Sequence, residues 1–218
     1  MKIGIIGAGN MGRALAVRFA AANHEVMLSN SRGPETLVGV VASIRGDVRP
    51  GSLAEAAGFG AIVALAIPFG AVQDLPPEPF TGKLVVDASN YYHRPAGRFP
   101  DLDTDRTTSS EHLASLLPAA TVVKAFNTIF FRRLLDDSRP GLPAEERLAI
   151  PVCGDDPSAK RTIIALIDQI GFAGVDAGTL ANGRHQQPGT VVYSAFAQAR
   201  AAGATLTASQ TRKLLDTS

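Results

Sequence analysis

Three glycines, Gly7, Gly9 and Gly12, follow the apolar run Lys2-Ile-Gly-Ile-Ile and precede a helix-like stretch. A second apolar run, Glu25-Val-Met-Leu-Ser29, comes next. Gly-x-Gly-x-x-Gly between a strand and a helix binds a dinucleotide without using side chains. Gly7 permits the tight turn, Gly9 lets the backbone approach a pyrophosphate, and Gly12 lets the helix lie close on the strand. Asn10 and Met11 stand between them, where the free N–H groups and dipole of a helix N-terminus favour phosphate.

The end of the second run selects between two dinucleotides. An NAD site places Asp or Glu there to hold the ribose 2′-hydroxyl, whereas a 2′-phosphate needs the acid removed and a cation nearby. Here the residues are Ser29-Asn30-Ser31-Arg32, and the first acid is Glu35. Hydroxyls, an amide and a guanidinium suit a phosphate. The expected cofactor is therefore NADP(H), with Asn30, Ser31 and Arg32 at the 2′-phosphate. A solvated turn with an ordinary surface arginine is the bland alternative.

The elements that must position these residues alternate along the chain. Residues 34–44 read as a helix and 47–48 as a short third strand. Ser52 and Glu55, then Thr108 and Glu111, are spaced as capping boxes that open helices. Residues 61–67 form a continuous apolar run, as in a parallel strand buried on both faces. Residues 83–87 and 121–125 read as further strands, and 148–153 and 174–176 as two more beyond a polar linker at 136–147. Helices are expected at 159–170, 188–201 and in the tail from 207. The implied fold is α/β, a doubly wound and mainly parallel sheet.

Ligands of such sheets bind beyond the carboxyl ends of the strands. Those ends carry Ile67 and Pro68, then Ser89 and Asn90, then Asn127. Ile67 and Pro68 are expected against the nicotinamide or its ribose, and Ser89, Asn90 or Asn127 in polar contacts. Pro68 as a mere strand terminator and Asn90 as a turn residue are the competing readings. The polar stretch 91–106 is a binding loop or a tolerated insertion. Within it His93, Arg94 and Arg98 suit an anionic tail, or simply solvent. The apolar stripe Val191, Val192, Ala195, Phe196 and Ala199 reads as core or a subunit contact rather than a cofactor surface.

Composition narrows the function classes. The chain has 218 residues, 45% hydrophobic and 19% charged, which supports a real core. A net charge of +1 with no basic block argues against nucleic acid or a membrane surface as partner. Cys153 is the single cysteine, so no internal disulfide and no cysteine-based zinc site can form. The four histidines are scattered without ligand spacing, and no metal is expected. No apolar run is long enough to span a bilayer. With a strand beginning at residue 2, a soluble cytoplasmic protein is expected.

Together these residues resemble the NADPH-dependent reductases of the deazaflavin coenzyme F420 and their bacterial relatives. The resemblance covers nearly the whole chain. It rests on the glycine turn with Ser29-Asn30-Ser31-Arg32, and on Val122-Val-Lys-Ala-Phe-Asn127-Thr128. Most narrowly, it rests on Val152-Cys153-Gly154-Asp155-Asp156 and on the block from Val175 through Asp176-Ala-Gly to Arg184. It implies an NADP-binding Rossmann domain over 1–147 and a small C-terminal α/β lobe over 148–218, packed on the same sheet and closing a cleft over the nicotinamide. It implies a homodimer, and a second redox cofactor, F420 or a flavin, as small-molecule co-substrate for direct hydride transfer. Such chemistry requires alignment and exclusion of water more than catalytic side chains, and none is assigned. Two other readings remain open. One is a reductase of another small acceptor, the other a sensor that binds NADPH without catalysis.

Overall fold

Apolar runs separated by glycine turns and capped helices produce strands and helices in alternation. The computed structural model describes residues 1–93 and 97–217 and arranges them about one eight-stranded sheet. Arg94 lies outside the described residues. The first half runs β1 (Lys2–Ile6), α1 (Asn10–Ala21), β2 (Glu25–Ser29), α2 (Val38–Ala42), β3 (Val48–Gly51), α3 (Leu53–Phe59), β4 (Ile62–Leu65) and β5 (Leu84–Asp87). There follow α4 (Pro100–Asp103), α5 (Ser109–Leu116), β6 (Thr121–Lys124), α6 (Phe131–Asp136), β7 (Ala149–Gly154), α7 (Pro157–Gln169), β8 (Ala173–Asp176), α8 (Val191–Ala201) and α9 (Ala208–Asp216).

The strand order is β3-β2-β1-β4-β5-β6-β7-β8. Every pair is parallel except β6 with β7, where Lys124 opposes Cys153. The sheet is therefore doubly wound, and chain order reverses at β1 and β4. That is the switch point at which ligands of such sheets bind. Residues from 148 onward extend the same sheet by β7 and β8.

Both faces are covered. Leu15 and Phe19 of α1 and Ile163 and Leu166 of α7 belong to one core cluster. Phe69, Phe80 and Leu113 fill the other. Each fully buried side chain of this size contributes about 1.5–3 kcal/mol relative to exposure. β4 is buried at all its positions, as its unbroken apolar sequence requires.

Both expected capping boxes form, with each side chain satisfying the other residue's backbone N–H. Several boundaries differ from the sequence reading: the expected 34–44 helix is a 3₁₀ turn at Pro34–Leu37 followed by α2, and the 61–67 run is a strand only over Ile62–Leu65. β3 extends to Gly51, although its sequence Val-Arg-Pro-Gly lacks strand character, because it pairs in register with β2. α8 starts at Val191 rather than 188. Gly189 has φ 93°, outside the helical region, and the Thr190 side chain accepts from the Tyr193 N–H to cap the helix. Among the described residues no helix is long and apolar enough to cross a membrane.

Candidate functional site

A cleft of about 530 Å³ opens at the carboxyl ends of β1, β4, β5 and β6. Of the residues expected from the sequence, Gly9, Asn10, Met11, Ile67, Pro68, Ser89, Asn90 and Asn127 all line it. Gly7 and Gly12 lie just beneath the first of these. Asn30, Ser31 and Arg32 do not line the cleft but stand at the end of β2. That end is tied to the glycine turn by the Gly7 N–H, which donates to the Ser29 carbonyl at 3.0 Å.

The glycines divide by what a side chain would meet. Gly7 has φ 106°, in the region that glycine alone enters freely. A Cβ on Gly12 would stand 1.8 Å from the Gly7 carbonyl oxygen, so the close packing of α1 on the turn excludes one. A Cβ on Gly9 would meet nothing within 4 Å. The fold itself does not demand glycine there, and the bare backbone faces open space. Gly9 is the N-cap of α1, no side chain caps that end, and no acid lies in its first turn. The helix terminus is thus left to a ligand carrying negative charge.

At the end of β2 the Asn30 amide serves its own turn. Its Oδ1 accepts from the Arg32 N–H at 2.9 Å, and its Nδ2 donates to Thr36 Oγ1 at 2.9 Å. Ser31 and Arg32 are exposed. The Arg32 guanidinium has no hydrogen bond or ion pair among the described residues.

The ends of β5 and β6 are held together by a polar cluster that sequence reading missed. Lys124 and Asp87 are fully buried, with Nζ to Oδ2 at 3.3 Å. Ser110 Oγ donates to Asp87 Oδ2 at 2.6 Å, and Ser89 Oγ donates to Oδ1 at 2.6 Å. Lys124 Nζ also donates to Ser110 Oγ at 3.0 Å, to Ser109 Oγ at 3.2 Å and to the Ser89 carbonyl at 3.3 Å. Burial pushes the Asp87 carboxyl up, but the Lys124 charge and the hydrogen bonds from Ser110 and Ser89 outweigh it and hold it below its ordinary value. Neither charged group lines the cleft; the cluster fixes Ser89, which does. Above it Asn90 Nδ2 donates to the Asn127 carbonyl at 2.8 Å, and Asn127 Nδ2 donates to Asn90 Oδ1 at 3.1 Å.

The opposite wall is aromatic and basic. α8 presents Tyr193, Phe196, Ala197 and Arg200, facing Phe130, Phe131 and Arg133. Arg200 lies over the Phe130 ring at 4.6 Å. The expected stripe on α8 is therefore only partly core. Val192 is buried, Val191 is exposed, and Phe196 lines the cleft. The signal for this wall was present in the sequence, since 193, 196, 197 and 200 share a helical face. Tyr92, from the 91–106 stretch, reaches across the cleft, and its hydroxyl meets that of Tyr193 at 2.6 Å. Burial and this partner raise the Tyr193 phenol above its ordinary value. In the same stretch Asp103 accepts from Tyr91 at 2.6 Å and pairs with His93 at 2.9 Å and Arg98 at 3.5 Å. Asp103 thus ties Tyr91, His93 and Arg98 together within this stretch. Cys153 is buried, and burial raises its thiol to about 12, so it stays protonated at neutral pH.

Comparison with known proteins bears on the family and the fold. Residues 2–91 match the family described as NADP oxidoreductase, coenzyme F420-dependent. The chain is 36% identical to hypothetical protein SMa0349 from Sinorhizobium meliloti, with a TM-score of 0.75, covering 87% of this chain and 91% of that one. A candidate F420-dependent NADP reductase from Arthrobacter sp. FB24 has the same fold, with 24% identity and a TM-score of 0.72 over 94% of this chain and 96% of that one. Rat metalloreductase STEAP3 is 31% identical over 84% of this chain. The chain spans only 35% of that relative's length.

Proposed function

The chain belongs to the coenzyme F420-dependent NADP oxidoreductase family, and we propose that it transfers a hydride between NADPH and a second planar redox cofactor, F420 or a flavin. The carrying observation is the asymmetry of one cleft. Its first side is bare backbone at Gly9 with an uncapped helix end, and its opposite side is an aromatic wall flanked by arginines. The uncapped terminus and the open space over Gly9 fit a pyrophosphate, and Arg32, unpaired among the described residues, fits a 2′-phosphate with Ser31.

In this reading Gly7, Gly9, Asn10, Met11 and Gly12 hold the phosphates. Asn30 shapes the turn from which Ser31 and Arg32 reach the 2′-phosphate. Ile67, Pro68, Ser89, Asn90 and Asn127 face the nicotinamide and its ribose. When bound, the two cofactors supply the reactive carbons and carry the electrons. The side chains of the chain align two flat rings and exclude water, a role suited to Phe130, Phe196 and the Tyr92–Tyr193 strap. Among the described residues no carboxylate lines the cleft; Arg133 is paired with Asp137, and Arg200, lying over the Phe130 ring, favours an anionic acceptor. The metalloreductase relatives support a reductive role.

The test is to mix the protein with NADPH and either F420 or FMN and follow nicotinamide absorbance. Oxidation well above the protein-free rate with one of the two is expected. Tight NADPH binding without oxidation by either acceptor would favour a sensor or a different substrate.

A further inference from the structure

The amide of Asn127 carries a polar atom without a protein partner, and the surrounding wall fixes which atom it is. Asn127 is 4% exposed. Its Nδ2 donates to the Gln186 carbonyl at 2.7 Å as well as to Asn90 Oδ1. A backbone carbonyl only accepts, so the nitrogen must face Gln186 and the amide cannot be flipped. Asn90 is pinned likewise by the Asn127 carbonyl. With both hydrogens of Asn127 engaged, its Oδ1 is left buried and unpartnered among the described residues. Such an oxygen is unfavourable to bury unless something donates to it.

The adjoining backbone is strained. Phe126 is fully buried with φ 66°, a region bulky residues rarely enter. At this bend the chain leaves β6, and both Asn127 and Thr128 line the cleft. Thr128 Oγ1 is also buried and unpartnered among the described residues. Ser89 differs, since its hydroxyl hydrogen is committed to Asp87.

The proposed dinucleotide is anchored by its phosphates at β1, and its nicotinamide end extends past β4 and β5 toward β6. The nicotinamide ring has no N–H of its own, and its carboxamide NH₂ is its only donor. Resting on the NADP(H) reading above, the geometry points to Asn127 Oδ1 as the acceptor for that NH₂. Asn127 is then a specificity-determining residue that recognises the carboxamide through its nitrogen.

The test titrates the wild-type protein calorimetrically with NADP⁺, with its 3-acetylpyridine analogue, which has a methyl group in place of the NH₂, and with adenosine 2′,5′-bisphosphate. The expected result is about tenfold weaker binding of the analogue than of NADP⁺, the loss of one buried hydrogen bond. That preference should vanish in Asn127→Leu. Equal binding of NADP⁺ and the analogue by wild type overturns the assignment while leaving the NADP(H) reading intact. Persistence of the preference in a folded Asn127→Leu variant overturns it too. Binding of none of the three ligands overturns the NADP(H) reading and this assignment with it.

Discussion

The two sides of the cleft are built on different principles. The β1–β2 side is made chiefly of backbone, a glycine turn and an uncapped helix end, with an exposed arginine at a neighbouring strand end. The β5–β6 side is made of side chains that hold one another. Lys124 and Asp87 lie 23 residues or more from several of their partners, and Asn127 meets Gln186 across 59. The first side excludes a side chain at Gly7 and Gly12, where backbone stands too close, but not at Gly9. The second depends on completing every buried hydrogen bond at once.

The largest effect is expected on the side-chain half. Asp87→Asn leaves Lys124 buried without its counter-charge and should lower stability by about 3–5 kcal/mol, as measured by urea unfolding. Lys124→Met combined with Asp87→Asn should recover part of the loss. The sign of the pH dependence follows from the depressed Asp87 carboxyl. The stabilisation is fully present above the unfolded value of about 3.9, and is lost as pH falls through the lower folded value. Asp87→Asn should therefore flatten the acid limb of stability below about pH 4. An unchanged acid limb would show that the pair does not govern it.

Within the backbone half the two glycines should separate stability from binding. Gly12→Ala forces α1 off the turn and should cost about 1–3 kcal/mol along with nucleotide affinity. Gly9→Ala should change stability by less than about 0.5 kcal/mol, yet weaken NADPH binding about tenfold or more. Thermal melts and fluorescence titration of both variants check this. Comparable destabilisation by the two, or full affinity in Gly9→Ala, would remove the distinction between them.

This contrast also accounts for what could be read in the sequence. The glycine turn, the acid-free end of β2 and both capping boxes are local patterns, and residues within a few positions determine them. The alternation of strands and helices was legible for the same reason. The Asp87–Lys124 pair was not, because each residue alone looks like the polar end of a strand. Only the parallel register of β5 and β6 sets them side by side. The pairing of Tyr92 with Tyr193 spans 101 residues and has no local signature. The apolar stripe of α8 includes Phe196, but Tyr193 and Arg200, which line the cleft beside it, add a phenol and a guanidinium that break the apolar pattern. The left-handed backbone at Phe126 is strain that tertiary packing imposes, and no propensity would suggest it.

The backbone half is proposed to hold NADP(H), with Arg32 reading the 2′-phosphate. Calorimetric titration of NADPH and NADH against wild type and Arg32→Glu tests it directly. Wild type is expected to prefer NADPH. The substitution should weaken NADPH about 10- to 100-fold, the loss of a charge-assisted contact, while NADH changes little. Equal losses for the two nucleotides, or a wild type that prefers NADH, would contradict it.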